Sequence, residues 1–190
     1  MNTVLGYAEF VAEMVVERKL SPAVLVGHSM GGAIAIEIAL GHPEMLEGIV
    51  LVGSGARLRV TPLIRDQLSG DYRHAVEIIA ELAHSPKSDP RLKRASIQEL
   101  LEVPPTVTYG DFEACNHFDR MNEIERISIP TLIICGEDDR LTPVKYSAYM
   151  RDRIRNARLV IIPDAGHSVM LEKPEDVNAA IRSFISELSN

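Results

Sequence analysis

Four short runs of nearly uninterrupted aliphatic residues, at 23–27, 48–52, 129–135 and 158–162, are set among segments with helical periodicity. A strand with one wet face alternates apolar and polar side chains. A strand buried on both faces does not, and in sheets that pattern belongs to parallel strands joined by covering helices. The chain is therefore expected to be an α/β protein with a mostly parallel sheet of about four strands flanked by helices. Val4, Ala8, Val11, Ala12 and Val15 recur at helical spacing, which predicts an amphipathic helix over 3–19, closed at Ser21-Pro22. Residues 31–40 are apolar almost all round apart from Glu37, as in a helix buried on most of its surface, with Gly41 as the expected stop. Thr142-Pro143 reads as an N-cap and first-turn proline opening a helix to about Ile154. Pro174-Glu175-Asp176 opens the last helix, whose expected inner face is Val177, Ala180, Ile181, Phe184, Ile185 and Leu188.

The stretch 56–126 breaks the alternation, because Tyr72, Ala75, Val76, Ile79, Ala80 and Ala83 fit one helix, Leu92, Ala95 and Leu100 hint at another, and no strand pattern intervenes. It is expected to be a helical insertion over the carboxyl edge of the sheet, bent at Pro104-Pro105. This divides the chain into a first core part at 1–55, the insertion at 56–126 and a second core part at 127–190. With 190 residues, 46% of them hydrophobic and 25% charged, one globular domain with a sizeable core is expected. A net charge of −7 argues against nucleic acid or an anionic membrane as partner, since both need clustered positive charge. The densest basic stretch, Arg91, Lys93 and Arg94, reads as a solvated helix face. No apolar run approaches the ~18 residues of a membrane span. Glu9 and Glu13 leave no basic n-region, so a cytoplasmic protein is expected. Cys115 and Cys135 follow no metal spacing and read as reduced, buried thiols.

The stretch "GHSMGG", residues 27–32, lies where the first predicted strand gives way to a helix. Gly-x-Ser-x-Gly in that setting is a nucleophile elbow, a turn so tight that glycine is expected at both 27 and 31 to avoid collision with backbone. Ser29 is then strained, with its hydroxyl exposed at the sheet's carboxyl edge. The following helix N-terminus, with the N–H of Met30, faces the place where an oxyanion would develop. Gly32 lets the helix approach the strand closely.

A serine hydroxyl needs a base, and the base needs an acid that orients it. "CGEDDRLTP" at 135–143 and "PDAGHSVMLEKP" at 163–174 follow the third and fourth strands, and place Asp139 and His167 at the edge that carries Ser29. With three motifs in the order Ser, Asp, His, the chain resembles the carboxyl-terminal part of an α/β-hydrolase fold enzyme of the serine esterase type, over residues 1–190. The family pattern Gly-x-x-Asp, counted from Gly136, implies Asp139 as the acid in preference to Glu137 or Asp138, which become loop charges. Gly166 and the Val169-Met170-Leu171 anchor match the family's histidine loop around His167. The family often carries a histidine where His28 stands, supporting the elbow without taking the proton. His42, His74, His84 and His117 are assigned no chemistry. Cys115, Asn116, Phe118 and Asp119 are candidates for the cleft wall, with core or capping roles as the alternative.

The resemblance implies hydrolysis of a carboxylic ester or thioester of a small-molecule acyl substrate through Ser29, Asp139 and His167, with neither metal nor organic cofactor. Carbon–carbon hydrolysis and perhydrolysis use the same triad and stay open, whereas epoxide opening and halide displacement, which need a carboxylate nucleophile, are disfavoured. The family also carries strands before the first helix seen here, and one of their loops supplies a second oxyanion donor in a His-Gly motif. Nothing of the kind precedes Asn2. Strand 23–27 is thus expected at an open, apolar edge that pairs with a second copy, and catalysis by the chain alone is expected to be poor. The competing expectation is a catalytically silent module that acts through self-association.

Overall fold

The computed structural model describes residues 3–188. Helix α1 (Val4–Glu17) leads into strand β1 (Ala23–His28), helix α2 (Met30–Gly41) and strand β2 (Leu46–Val52). Four helices follow, α3 (Pro62–Ser69), α4 (Tyr72–Ala83), α5 (Pro90–Glu102) and α6 (Pro105–His117). The chain then alternates again through β3 (Thr131–Gly136), α7 (Val144–Arg153) and β4 (Ala157–Ile162), and ends with the short α8 (Val169–Glu172) and the long α9 (Pro174–Leu188).

The four strands are all parallel and lie in the order β1-β2-β3-β4, as the aliphatic runs require. Successive side chains go to opposite faces. Ile49, Leu51 and Ile133 pack with α1, α2 and α7, while Val50, Val52, Leu132 and Ile134 pack with Val177 and Phe184 of α9. Burial on both faces is the reason β2 and β3 show no polar alternation, whereas the edge strands β1 and β4 are only half-buried. β1 lies at one edge of the sheet and leaves Val26 49% exposed.

Some boundaries differ from those expected. Thr3 caps α1, its hydroxyl accepting from Gly6 N–H at 3.0 Å. Gly41 closes α2 from inside, and His42 is the cap, its N–H donating to the Ile38 carbonyl. Ile185 does not belong to the inner face of α9, being 42% exposed, because the packed stripe narrows to Val177, Ala180, Ile181, Phe184 and Leu188. Between β2 and β3 there are four helices where the periodicity hinted at two. α3 and α6 were not legible because α3 is short and α6 buries only Thr108 and Ala114, too few for a periodic signal. These helices have a core of their own around Ile64, Leu68, Ala75 and Ile79.

Glu37, the one charge in α2, is explained by Arg120, which reaches it with Nε and Nη2 at 2.9 and 3.1 Å. This bidentate pair ties the return of the helical segment to α2. Removing one partner strands a buried charge, so Arg120→Ala is expected to cost roughly 2 to 4 kcal/mol, the range being reduced for Arg120's partial exposure. That corresponds to a fall in Tm of roughly 5 to 15 °C in a thermal scan. An unchanged Tm would show the pair to be energetically idle.

Candidate active site

All four strands run the same way, so their carboxyl ends share one edge, and the three predicted residues lie there: Ser29 directly after β1, Asp139 after β3 and His167 after β4. Ser29 has φ 53° and ψ −115°, a conformation that a non-glycine residue adopts only when the surroundings impose it. They do so from two sides. Ser29 N–H donates to the Val52 carbonyl at 2.9 Å, and the Ser29 carbonyl accepts from the Ser54 hydroxyl at 2.8 Å. The same carbonyl takes the N–H groups of Gly32 and Ala33, at 3.0 and 3.3 Å, which starts α2 directly beneath the serine.

The expectation that both elbow glycines are sterically required is corrected at Gly31. A Cβ on Gly27 would lie 2.1 Å from the Gly31 carbonyl oxygen, but a Cβ on Gly31 would meet nothing within 4 Å. The crowded partner is Gly32, whose Cβ would lie 2.5 Å from the Ser54 side chain. The chain turns so that residue 31 faces outward while 27 and 32 face each other across the elbow. Gly27→Ala is therefore expected to destabilise by about 3 kcal/mol or more, because backbone cannot move aside. Gly31→Ala is expected to be neutral or to stabilise by up to ~1 kcal/mol, since it sits in the first turn of a helix. Urea unfolding of the two variants measures this, and equal losses would refute it.

His167 and Asp139 are in direct contact, Nδ1 to Oδ2 at 2.9 Å, with side chains only 6% and 0% exposed. Asp139 is saturated. Its Oδ1 accepts from the N–H groups of Leu141 and Thr142 at 2.9 and 2.8 Å, and its Oδ2 also accepts from the Thr142 hydroxyl at 2.8 Å. Burial pushes this carboxyl up, but the hydrogen bonds from His167 and Thr142 outweigh it and hold Asp139 below its ordinary value. An ionised carboxylate only accepts, so Nδ1 of His167 is the nitrogen that donates to Asp139.

The histidine ring sits over the end of β2, where a Cβ on Gly53 would lie 3.2 Å from its Nδ1. It packs against His28, with ring centroids 4.6 Å apart. Burial first, and then the His167 ring, push His28 down to about 4, so it is neutral at ordinary pH. Its Nε2 lies 3.0 Å from the His167 carbonyl, which can only accept, so Nε2 is the protonated nitrogen. His28 thus braces the histidine loop from the elbow side. Between Ser29 and His167 there is no direct hydrogen bond among the described residues; the structure brings the acid and the histidine into contact, and Ser29 lies at the same strand edge.

Thr142 corrects another expectation. The cap of α7 is Pro143, with no side-chain bond, and the Thr142 hydroxyl lies instead between Asp139 and 3.1 Å from His167 Nδ1. The signal available in the sequence was the spacing of Asp139 and Thr142, at which an aspartate bonds the backbone two and three residues on. Ser54 was missed because its role depends on a contact 25 residues away. Cys115 and Phe118 pack into the core, and Phe118 and Asp119 also line a cavity beside Thr3, Val4 and Glu37; burial pushes the Cys115 thiol up to about 12. Asn116 accepts from Val60 N–H at 3.3 Å, and Asp119 pairs with Arg57 and Arg59. Among the described residues no helix is long and apolar enough to cross a membrane.

Comparison with known proteins agrees with the fold. The sequence profile of the alpha/beta hydrolase family matches residues 2–180. A solved structure of a thermophilic esterase is 37% identical, with a TM-score of 0.91 over 99% of this chain and 75% of that one. The structure of Est816, an N-acyl homoserine lactone degrading enzyme, is 27% identical, with a TM-score of 0.85 over 96% of this chain and 74% of that one. The pimeloyl-[acyl-carrier protein] methyl ester esterase of Yersinia enterocolitica is 28% identical over 93% of this chain and 74% of its own length. The chain thus spans about three quarters of the length of these relatives. Over nearly all of its own length, in profile and in fold, it belongs to the alpha/beta hydrolase family.

Proposed function

We propose that this hydrolase acts on a carboxylic ester or thioester through Ser29, His167 and Asp139. The observation that carries the reading is the buried His167–Asp139 contact at the strand edge where Ser29 is held at φ 53°. Ser29 Oγ attacks the acyl carbon while its proton passes to His167 Nε2. Asp139 keeps the ring in the Nδ1–H form and stabilises the imidazolium. The Met30 N–H, at the start of α2, faces the developing oxyanion. Collapse of the intermediate expels the alcohol or thiol, which takes the proton from Nε2. Water then attacks the acyl-enzyme by the same route, releasing the acid and free Ser29. The helical segment 56–126 serves as the cap from which the acyl pocket is built. Two of the relatives are named as esterases, one of them for a methyl ester, which supports an ester as substrate.

A fluorophosphonate probe followed by mass spectrometry of the adduct, together with hydrolysis of short acyl esters, tests this reading. Modification of Ser29 and turnover of the esters are expected. Labelling of a different serine would overturn the assignment, and an unlabelled, inactive protein would favour the silent module.

A further inference from the structure

The turn between α4 and α5, residues 84–88, is bonded to both loops that carry the acid and the histidine. Ser85 is the junction. Its N–H donates to Glu172 Oε2 at 3.0 Å, and its hydroxyl donates at 2.5 Å to Oδ2 of Asp138, the neighbour of Asp139. Glu172 also accepts from the N–H of Gly166, at 2.9 Å, and from the Ser88 hydroxyl. Gly166 precedes His167. On the other side of that histidine, Ser168 N–H donates to the Ala83 carbonyl at 2.9 Å. The backbones meet so closely that a Cβ on Gly166 would lie 2.7 Å from Ser85 N and 2.8 Å from the Ala83 carbonyl oxygen. Arg140, which follows Asp139, donates to the carbonyls of Glu81 and His84.

The helical segment does not need these bonds to stay attached. Arg120 ties it to Glu37 of α2, the bridge between Arg57 and Asp119 holds its two ends together, and it has its own core. The two loops also meet directly, Asp138 N–H donating to the Ala165 carbonyl at 2.8 Å, and what the 84–88 turn adds is a side-chain brace across that contact, gripping Asp138 on one loop and Gly166, through Glu172, on the other. We propose that Ser85 and Glu172 are positioning residues: through them the turn holds the Asp139 loop against the His167 loop and so sets the ring's angle to its acid. The proposal rests on the roles assigned above to Asp139 and His167. An imidazole–carboxylate bond is directional, and a displacement of about 1 Å at a reacting group can cost ~10²-fold in rate.

The variants Ser85→Ala, Ser85→Thr, Glu172→Ala and Glu172→Gln test it by two readouts. The first is the far-downfield ¹H NMR signal of the His167 Nδ1 proton, identified by its loss in Asp139→Asn, which depends on geometry and not on turnover. The second is kcat against KM on a small ester. Ser85→Ala and Glu172→Ala are expected to shift or broaden the proton signal and lower kcat about 10- to 100-fold, with KM within about twofold. Ser85→Thr, which keeps the hydroxyl, is expected to restore both. Glu172→Gln is expected to behave as Glu172→Ala, because three donors converge on Glu172 and an amide brings N–H groups of its own. If Glu172→Ala does not fold, Ser85→Ala decides. A wild-type signal and wild-type kcat in folded Ser85→Ala would overturn the proposal. If the wild-type protein neither hydrolyses esters nor reacts with the probe, the proposed function falls while the proton signal still decides the clamp.

Discussion

Ser29→Ala is expected to lower ester turnover by about 10⁴- to 10⁶-fold, since residues of a serine triad act as a unit and removing the nucleophile costs about as much as removing all of them. The fold should survive. Ser29 is held by its backbone, through Val52, Ser54 and the first turn of α2, and not by its hydroxyl, so stability should change by no more than about 1 kcal/mol. The check is kcat of the purified variant beside its urea midpoint. Turnover within tenfold of the wild type would remove Ser29 from the mechanism, and a collapse in stability would show that the hydroxyl holds the elbow.

Asp139→Asn is expected to cost about 10³- to 10⁴-fold in kcat, and Asp138→Asn less than about tenfold. The difference follows from what each carboxylate faces. Asp139 Oδ1 accepts from two backbone N–H groups that cannot move, so an asparagine there must keep its oxygen on that side. Its amide nitrogen then points at the Thr142 hydroxyl and at His167 Nδ1. The ring can answer only by accepting at Nδ1, which puts its proton on Nε2 and leaves no base for Ser29. Asp138 accepts from the Ser85 hydroxyl, and an asparagine oxygen can take over that bond. Kinetics of the two variants settle the order, and a reversed ranking would move the acid to Asp138.

Much of the sheet was legible because its cause is local. Val50, Val52, Leu132 and Ile134 on one face, and Ile49, Leu51 and Ile133 on the other, read as continuous apolar runs since both faces are covered. The order of the motifs along the chain was legible for a related reason, because parallel strands bring every carboxyl end to one edge whatever lies between them. Gly27 was likewise predictable from its distance to Gly31 within a single turn.

The rest depended on groups far apart in sequence. Thr142 reads locally as a helix cap, yet its hydroxyl is captured by a carboxylate and an imidazole that only folding brings near. Glu172 reads as one acidic residue before a proline, and nothing in its neighbourhood predicts that Ser85 and Ser88, more than 80 residues away, converge on it. The close approach expected at Gly32 is present against Ser54, whereas the crowding expected at Gly31 is absent, because the turn of α2 points that residue outward. By itself the sequence determined the parallel α/β layout, the elbow and the chain order of serine, aspartate and histidine, because periodicity and turn chemistry act between residues a few positions apart. The tertiary structure alone decided which further hydroxyls and carboxylates surround the candidate site, because a hydrogen bond needs its partners within about 3 Å and sequence separation says nothing about that distance.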